Sequence, residues 1–492
     1  MKIGGCAIVI RNRCAGRCDV ELKLKIRGSE STDARIHCGY TAPCQALVLT
    51  ARITYTLRLV LESIGELKNM PTLSRSEYRT LVLAALGGAL EFYDFIIYVF
   101  FAVVIGQLFF PPDMPDWLRQ LQTFGIFAAG YLARPLGGIV MAHFGDLLGR
   151  KRMFMLSIFL MAVPTMAIGL LPTYALIGIW APLLLLALRV LQGAAVGGEV
   201  PGAWVFVSEH VPERHVGFAC GTLTAGLTGG ILLGSLVATA IHKLYSPAEL
   251  LSHGWRVPFI IGGLFGLMAA WLRQWLHETP VFREMQARQA LADELPLKTV
   301  IREHRPAVIL TMLMTWLLSA AIVVMILMTP TLVQKLYAIP AADALQANSI
   351  ATLFLSLGCV AFGALADRYG PGRVLMIGCA MLGLTSTLFY RQVQLAPQYI
   401  NGLYALCGLF VGVIGVVPSV AVKAFPPAVR FSGLSFSYNV AYAVFGGLTP
   451  VAVSMLLPLD RLAPAHYVEA LSAAGVLIGL HLWRRDKVAG PG

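Results

Sequence analysis

Two short stretches decide how this chain is read: GDLLGRKR at residues 145–152 and ADRYGPGR at residues 366–373. Each has an acidic residue near its start, then a glycine and a basic end, and each follows a long apolar run. A shift of 221 positions lays Asp146 on Asp367, Gly149 on Gly370 and Arg152 on Arg373. Further upstream it lays Gly137 on Gly358. A repeat at that distance, preceded by the same kind of segment, implies a chain built as two like halves.

The surrounding composition says what solvent those halves occupy. Of 492 residues, 57% are apolar and 13% charged. A soluble domain carries about 25% charged residues. So few charges cannot shield so large an apolar surface from water, which excludes a soluble enzyme, a disordered chain and a disulfide-built secreted module. Lipid must be the solvent for most of the chain.

A helix needs about 20 mostly apolar residues to cross a bilayer. Such runs lie near 80–107, 119–143, 153–172, 178–207, 216–243 and 256–277, then near 306–333, 346–366, 373–391, 399–424, 430–457 and 464–484. They are continuous rather than alternating, so spanning strands are not expected. The sequence therefore predicts an all-α membrane protein with twelve transmembrane helices in two pseudo-symmetric six-helix bundles, at 75–277 and 306–485. A segment at 278–305 with ten charged residues divides them, and 486–492 forms a tail. With the N-terminus inside, the inside loops, central segment and tail carry fifteen Lys and Arg, against six outside. That bias predicts a multi-pass protein of a plasma (inner) membrane with both termini cytoplasmic. The net charge of +12 is then a topology signal, and no clustered basic face points to nucleic acid.

Residues 1–74 are unlike the rest. The first 78 residues hold 19 charges, a soluble proportion, and five of the nine cysteines (Cys6, Cys14, Cys18, Cys38 and Cys44). The apolar run before Arg11 is short for a signal peptide. Cys14, Cys18, His37, Cys38 and Cys44 fit no closed zinc pattern, so no metal is expected. The expectation is an extension that is disordered or lies before the true start, with Met70 opening the polar lead into the first span.

Residues 75–485 resemble the major facilitator superfamily, whose loop signature is matched by GDLLGRK and more weakly by ADRYGPGR. Within it, GGALEFYDFIIY at 87–98, ARPLGG at 133–138, RVLQGAAVGGEVPGA at 189–203, HETPVF at 277–282 and FPPAVRFSGLSFSYN at 425–439 look like the metabolite:proton symporter family of citrate, α-ketoglutarate, shikimate and proline/betaine carriers. The resemblance implies two bundles, alternating access and proton-coupled uptake. Pro371-Gly372 replaces Arg150-Lys151 in the second copy, so the gate should be weaker there. The fifth span, TAGLTGGILLGSL at 224–236, lacks the Gly-Pro pair of the antiporter motif, which weighs against drug efflux.

Charges within spans are costly and need a reason. Glu91, Asp94 and Tyr98 share a face of the first helix at steps of three and four. Arg134, on the second helix, lies at similar depth. Two carboxylates within one turn cannot both ionise cheaply in a dry cavity, so one should bind a proton near neutral pH. Competition for Arg134 between these carboxylates and an anionic group of the substrate would couple protonation to binding. The alternative is a permanent Glu91–Arg134 or Asp94–Arg134 pair that only fixes the helices. Arg189, Gln192 and Glu199 share a face of the fourth helix, either lining the cavity or satisfying one another. Tyr438 and Asn439 on the eleventh are cavity hydrogen-bonders or interhelical contacts.

At the inside end, Asp146 and Gly149, and in the second copy Asp367 and Arg373, form gate loops in which a carboxylate can meet the positive N-terminus of a neighbouring helix. Arg150 and Arg152 can bridge to Glu209 or Glu213, with Arg214 beside them; bonds of this kind would close the inside and break on rocking. No phosphate loop, metal cluster or nucleophile triad occurs, so neither an enzyme nor ATP coupling is expected. The expected partners are a small-molecule substrate and membrane lipid, with protons as coupling ion, no cofactor, and a monomeric chain. A uniporter, an exporter or a transporter-like sensor is the alternative.

Overall fold

The computed structural model describes residues 2–3, 6–13, 17–24, 32–39, 73–148, 150–273 and 296–489. They fall in two units, Met1–Pro71 and Thr72–Gly492. In the first, β1 (Lys2–Ile3), β2 (Cys6–Arg13), β3 (Arg17–Leu24) and β4 (Thr32–Gly39) form an antiparallel sheet in chain order. Val9 stands opposite Glu21, and Glu21 opposite Arg35. These strands fall within the extension that the sequence sets before Met70. The signal is the period-two alternation of Asp19, Glu21 and Lys23 with Val20, Leu22 and Leu24.

Among its described residues, the second unit runs as twelve helical rods. The first six are α1 (Arg75–Phe100, continued by Ala102–Phe109), α2 (Asp116–Leu148), α3 (Arg150–Leu170), α4 (Trp180–His210), α5 (Val216–Leu244) and α6 (Arg256–Arg273). A short helix, Pro296–Glu303, precedes the second six. These are α7 (Arg305–Ile322, continued to Tyr337), α8 (Ala341–Tyr369), α9 (Pro371–Leu395), α10 (Ile400–Val411, continued to Lys423), α11 (Arg430–Ala441, continued to Leu456) and α12 (Ala463–Ala489).

Among the described residues, eight of these rods are long and apolar enough to cross a membrane, and the pair Pro247–Gly254 and Arg256–Trp271, bent by 44°, makes a ninth if it is one span. In α2 and α3 the apolar stretch is shorter, Gly125–Met141 and Met155–Leu170. On α2, Leu132, Leu136, Val140 and Phe144 are exposed at steps of four, an apolar stripe suited to lipid.

Three of the interior breaks share a cause. The widened turns Val323–Met328 and Tyr442–Gly446, and the tightened turn Gly412–Val416, lie just before Pro330, Pro450 and Pro418. A proline removes a helix N–H and pushes its ring at the carbonyl four residues back, here within each of these turns.

The repeat is visible in the packing. Gly137 of α2 lies against the Ala194 carbonyl of α4, and Gly358 of α8 against the Leu409 carbonyl of α10, so the two aligned glycines occupy matching helix crossings. In the α8–α9 turn, Gly370 has φ +85°, a backbone conformation that glycine adopts without strain. Two seams join the bundles. Along one, α5 meets α8, with Gly217 and Gly221 against the backbones of Gly363 and Cys359. Along the other, α11 lies against α2 and α4.

Candidate functional site

The α2–α4 crossing positions the first buried cation. Gly193 and Gly197 of α4 are one turn apart, and their α-carbons face the carbonyls of Gly130 and Arg134. That close approach leaves no room for side chains between the backbones. Arg134 points away from the crossing to the bundle seam, where it is 1% exposed. Its guanidinium carbon is 4.3 Å from the ring centre of Tyr442, 5.3 Å from Tyr438 and 5.6 Å from Tyr131. Tyr131 and Tyr442 lie parallel with centres 5.5 Å apart, and Trp204 of α4 meets Tyr438 edge-on at 5.0 Å. Nε and Nη2 of Arg134 have no hydrogen-bond partner among the described residues.

Arg189 forms a second centre toward the other end of α4. It is fully buried, with its guanidinium carbon 4.6 Å from the ring centre of Phe95, 4.5 Å from Tyr98 and 5.2 Å from Phe127. Its Nη1 donates to Gln192 Oε1 at 2.9 Å, and Gln192 Nε2 donates to Thr165 Oγ1 at 2.7 Å. Thr165, on α3, donates to the Met161 carbonyl at 2.8 Å and lies against the Asp94 carboxyl. Asp94 is 1% exposed, packed against Gly262 and Gly266 of α6. A chain of side chains, Arg189–Gln192–Thr165–Asp94, thus crosses the first bundle.

This arrangement does not form the direct Asp94–Arg134 contact considered from the sequence. Asp94 and Arg134 do not meet: Asp94 faces α3 and α6, while Arg134 faces α11. The small residues Gly262 and Gly266 make room for the carboxyl on its side of α1, and three aromatic rings draw the guanidinium to the other side. The Glu91 side chain lies outside the described residues. Tyr98 donates to the Thr123 carbonyl at 3.1 Å while its ring covers Arg189. Glu199 accepts from Ser157 of α3. Asn439 donates to the Gly197 carbonyl at 2.6 Å, and Ser435 to the Gly138 carbonyl at 3.0 Å, tying α11 to α4 and α2.

At the end where α2 and α8 terminate, Asp367 accepts from the N–H groups of Gly217 and Phe218, each at 2.7 Å. It caps the first turn of α5 across the seam. Glu209 pairs with Arg430 of α11 at 3.1 Å, and Lys423 donates to the Glu213 carbonyl at 3.4 Å. Glu209 thus has a partner across the seam, on α11. Gly149 and the side chains of Asp146, Arg150 and Arg152 lie outside the described residues. Arg214 is exposed, and Arg373 lies 5.9 Å from the ring centre of Trp483.

Sequence reasoning missed Tyr131, Tyr442, Trp204, Thr165 and Arg430. Tyr131 stands three residues before Arg134, and Tyr442 four after Tyr438, so helical spacing already placed them on the relevant faces.

The profile of the Major Facilitator Superfamily matches residues 82–459. The chain is 32% identical over 406 residues to a Staphylococcus aureus relative, covering 81% of this chain and 87% of that one. It is 32% identical over 421 residues to the glycine betaine/proline/ectoine/pipecolic acid transporter OusA of Dickeya dadantii, covering 82% of this chain and 83% of that one. It is 31% identical over 417 residues to the proline/betaine transporter of Salmonella typhimurium, with the same coverage of 82% and 83%. In fold it is similar to the proton:xylose symporter XylE, at a TM-score of 0.70 and 17% identity, over 84% of this chain and 96% of that one. These matches, with the doubled bundle and the doubled loop, show that the chain belongs to the major facilitator superfamily and is a secondary transporter, not an enzyme.

Proposed function

We propose that this transporter takes up a small zwitterionic or carboxylate metabolite together with protons, by alternating access. The observation that carries this reading is Arg134: a cation sealed at the seam between bundles, with donors unsatisfied among the described residues. A buried guanidinium recognises a carboxylate as a planar fork. Relatives named for proline and betaines, which are both carboxylates with a cationic nitrogen, support the substrate class.

The proposed proton site is Asp94. When ionised, it draws the Thr165 hydroxyl; when protonated, it lets that hydroxyl return to the Met161 carbonyl. Thr165 is bonded to Gln192, and Gln192 to Arg189, so proton loss repositions Arg189. Opening toward the inside then requires release of Asp367 from α5 and of Glu209 from Arg430. The proposed setting is a plasma (inner) membrane, with both termini cytoplasmic and the chain monomeric.

The test is uptake by proteoliposomes of labelled glycine betaine, proline, citrate and α-ketoglutarate, together with counterflow. Counterflow of at least one compound is expected. Its absence for all of them, with binding retained, favours a sensor instead.

A further inference from the structure

Arg134 rests among the rings of Tyr131, Tyr438 and Tyr442. The rings come from both bundles, Tyr131 from α2 and Tyr438 and Tyr442 from α11. Tyr442 opens the widened turn of α11, a kind of irregularity frequent at functional sites. Aromatic faces attract a desolvated cation whatever its source. Among the described residues Nε and Nη2 have no hydrogen-bond partner, and the guanidinium's neighbours at the seam are the rings and hydroxyls of these tyrosines.

We propose that this tyrosine cage is the cation subsite for a zwitterion and that Arg134 occupies it when no substrate is bound. On binding, the ammonium of the substrate replaces the guanidinium among the rings, and the displaced Arg134 turns onto the substrate carboxylate. Both charges of the ligand are then met by one exchange. A cation without a carboxylate cannot reward Arg134 for leaving, and a carboxylate without a cation leaves the cage unfilled, so the exchange selects for zwitterions. The proposal rests on the uptake reading above for its ligand class, but it makes a separate claim about the empty cage.

The experiment measures binding to the purified full chain in nanodiscs by calorimetry. The probes are glycine betaine, tetramethylammonium and tert-butylacetate, in which carbon replaces the quaternary nitrogen. In Arg134→Gln the cage is vacated, so tetramethylammonium should bind roughly tenfold tighter than to wild type, while glycine betaine binds roughly tenfold weaker. Adding Tyr442→Leu should remove the tetramethylammonium gain. A monodisperse Arg134→Gln protein with no such gain overturns the proposal. Should that variant not fold, Tyr442→Leu alone decides: it must abolish the preference for glycine betaine over tert-butylacetate, and a retained preference overturns the cage. A gain for tetramethylammonium without uptake of any zwitterion or carboxylate defeats the uptake reading and leaves the cage standing. Uptake without the gain defeats the cage alone.

Discussion

Arg189 and Asp94 never touch, yet Gln192 and Thr165 connect them through hydrogen bonds of 2.9 and 2.7 Å and a packed contact. Neutralising Asp94 should therefore break coupling rather than binding. Asp94→Asn is expected to abolish accumulation driven by a pH gradient and to keep counterflow within about threefold of wild type, since a single neutral isostere conserves the packing. Accumulation at wild-type level would remove Asp94 from the coupling path. The charges themselves were legible because so few enter the spans: Asp94, Arg134, Arg189 and Glu199 are all buried. Their partners were not. Which side of α1 Asp94 faces depends on the small residues of α6, and where Arg134 points depends on rings from α11. Neither lies near it in sequence.

At the scale of elements, the α2–α4 crossing makes the sharpest demand. A methyl group at Gly193 would collide with the Gly130 carbonyl, whereas at Gly125 of the same α2 helix nothing lies within 4 Å. Gly193→Ala should destabilise by about 1–3 kcal/mol, the usual penalty for overpacking. Gly125→Ala should be neutral or mildly stabilising. Thermal unfolding of the two variants in detergent checks this, and equal midpoints would contradict the packing described. The α5–α8 seam makes a second demand. Asp367→Asn loses the charge from a cap that is worth about 1.5–3 kcal/mol. Opening at that end should then rise on the order of tenfold. Cys220 and Cys359, buried along this seam, report it as faster labelling by N-ethylmaleimide. Unchanged labelling would mean that the cap does not hold the seam. The helices were legible from run length, but the breaks before Pro330, Pro418 and Pro450 were not, because a proline inside a long apolar run reads as tolerated until neighbouring helices fix how the turn adjusts.

The whole molecule is a doubled design in which identical backbone solutions serve unequal halves. Gly137 and Gly358 occupy matching crossings, yet the buried arginines Arg134 and Arg189 both belong to the first bundle, and the second contributes Tyr438, Tyr442 and Asn439. Charge on one side and rings and amide on the other give the seam its chemistry, and that asymmetry suits the alternating access proposed above, in which a site is assembled and taken apart as the bundles rock. The two halves were visible in the sequence because the loop signature and the hydropathy repeat are local. The first strands were not, since alternation over a few residues is a weaker mark than a long apolar run. The central claim, proton-driven uptake through this seam, is tested most directly in proteoliposomes loaded with buffer more alkaline than the bath. The measurement is the plateau of labelled glycine betaine with and without a protonophore. The account predicts accumulation above the external concentration that collapses when the protonophore is added. The same plateau in both conditions would contradict it.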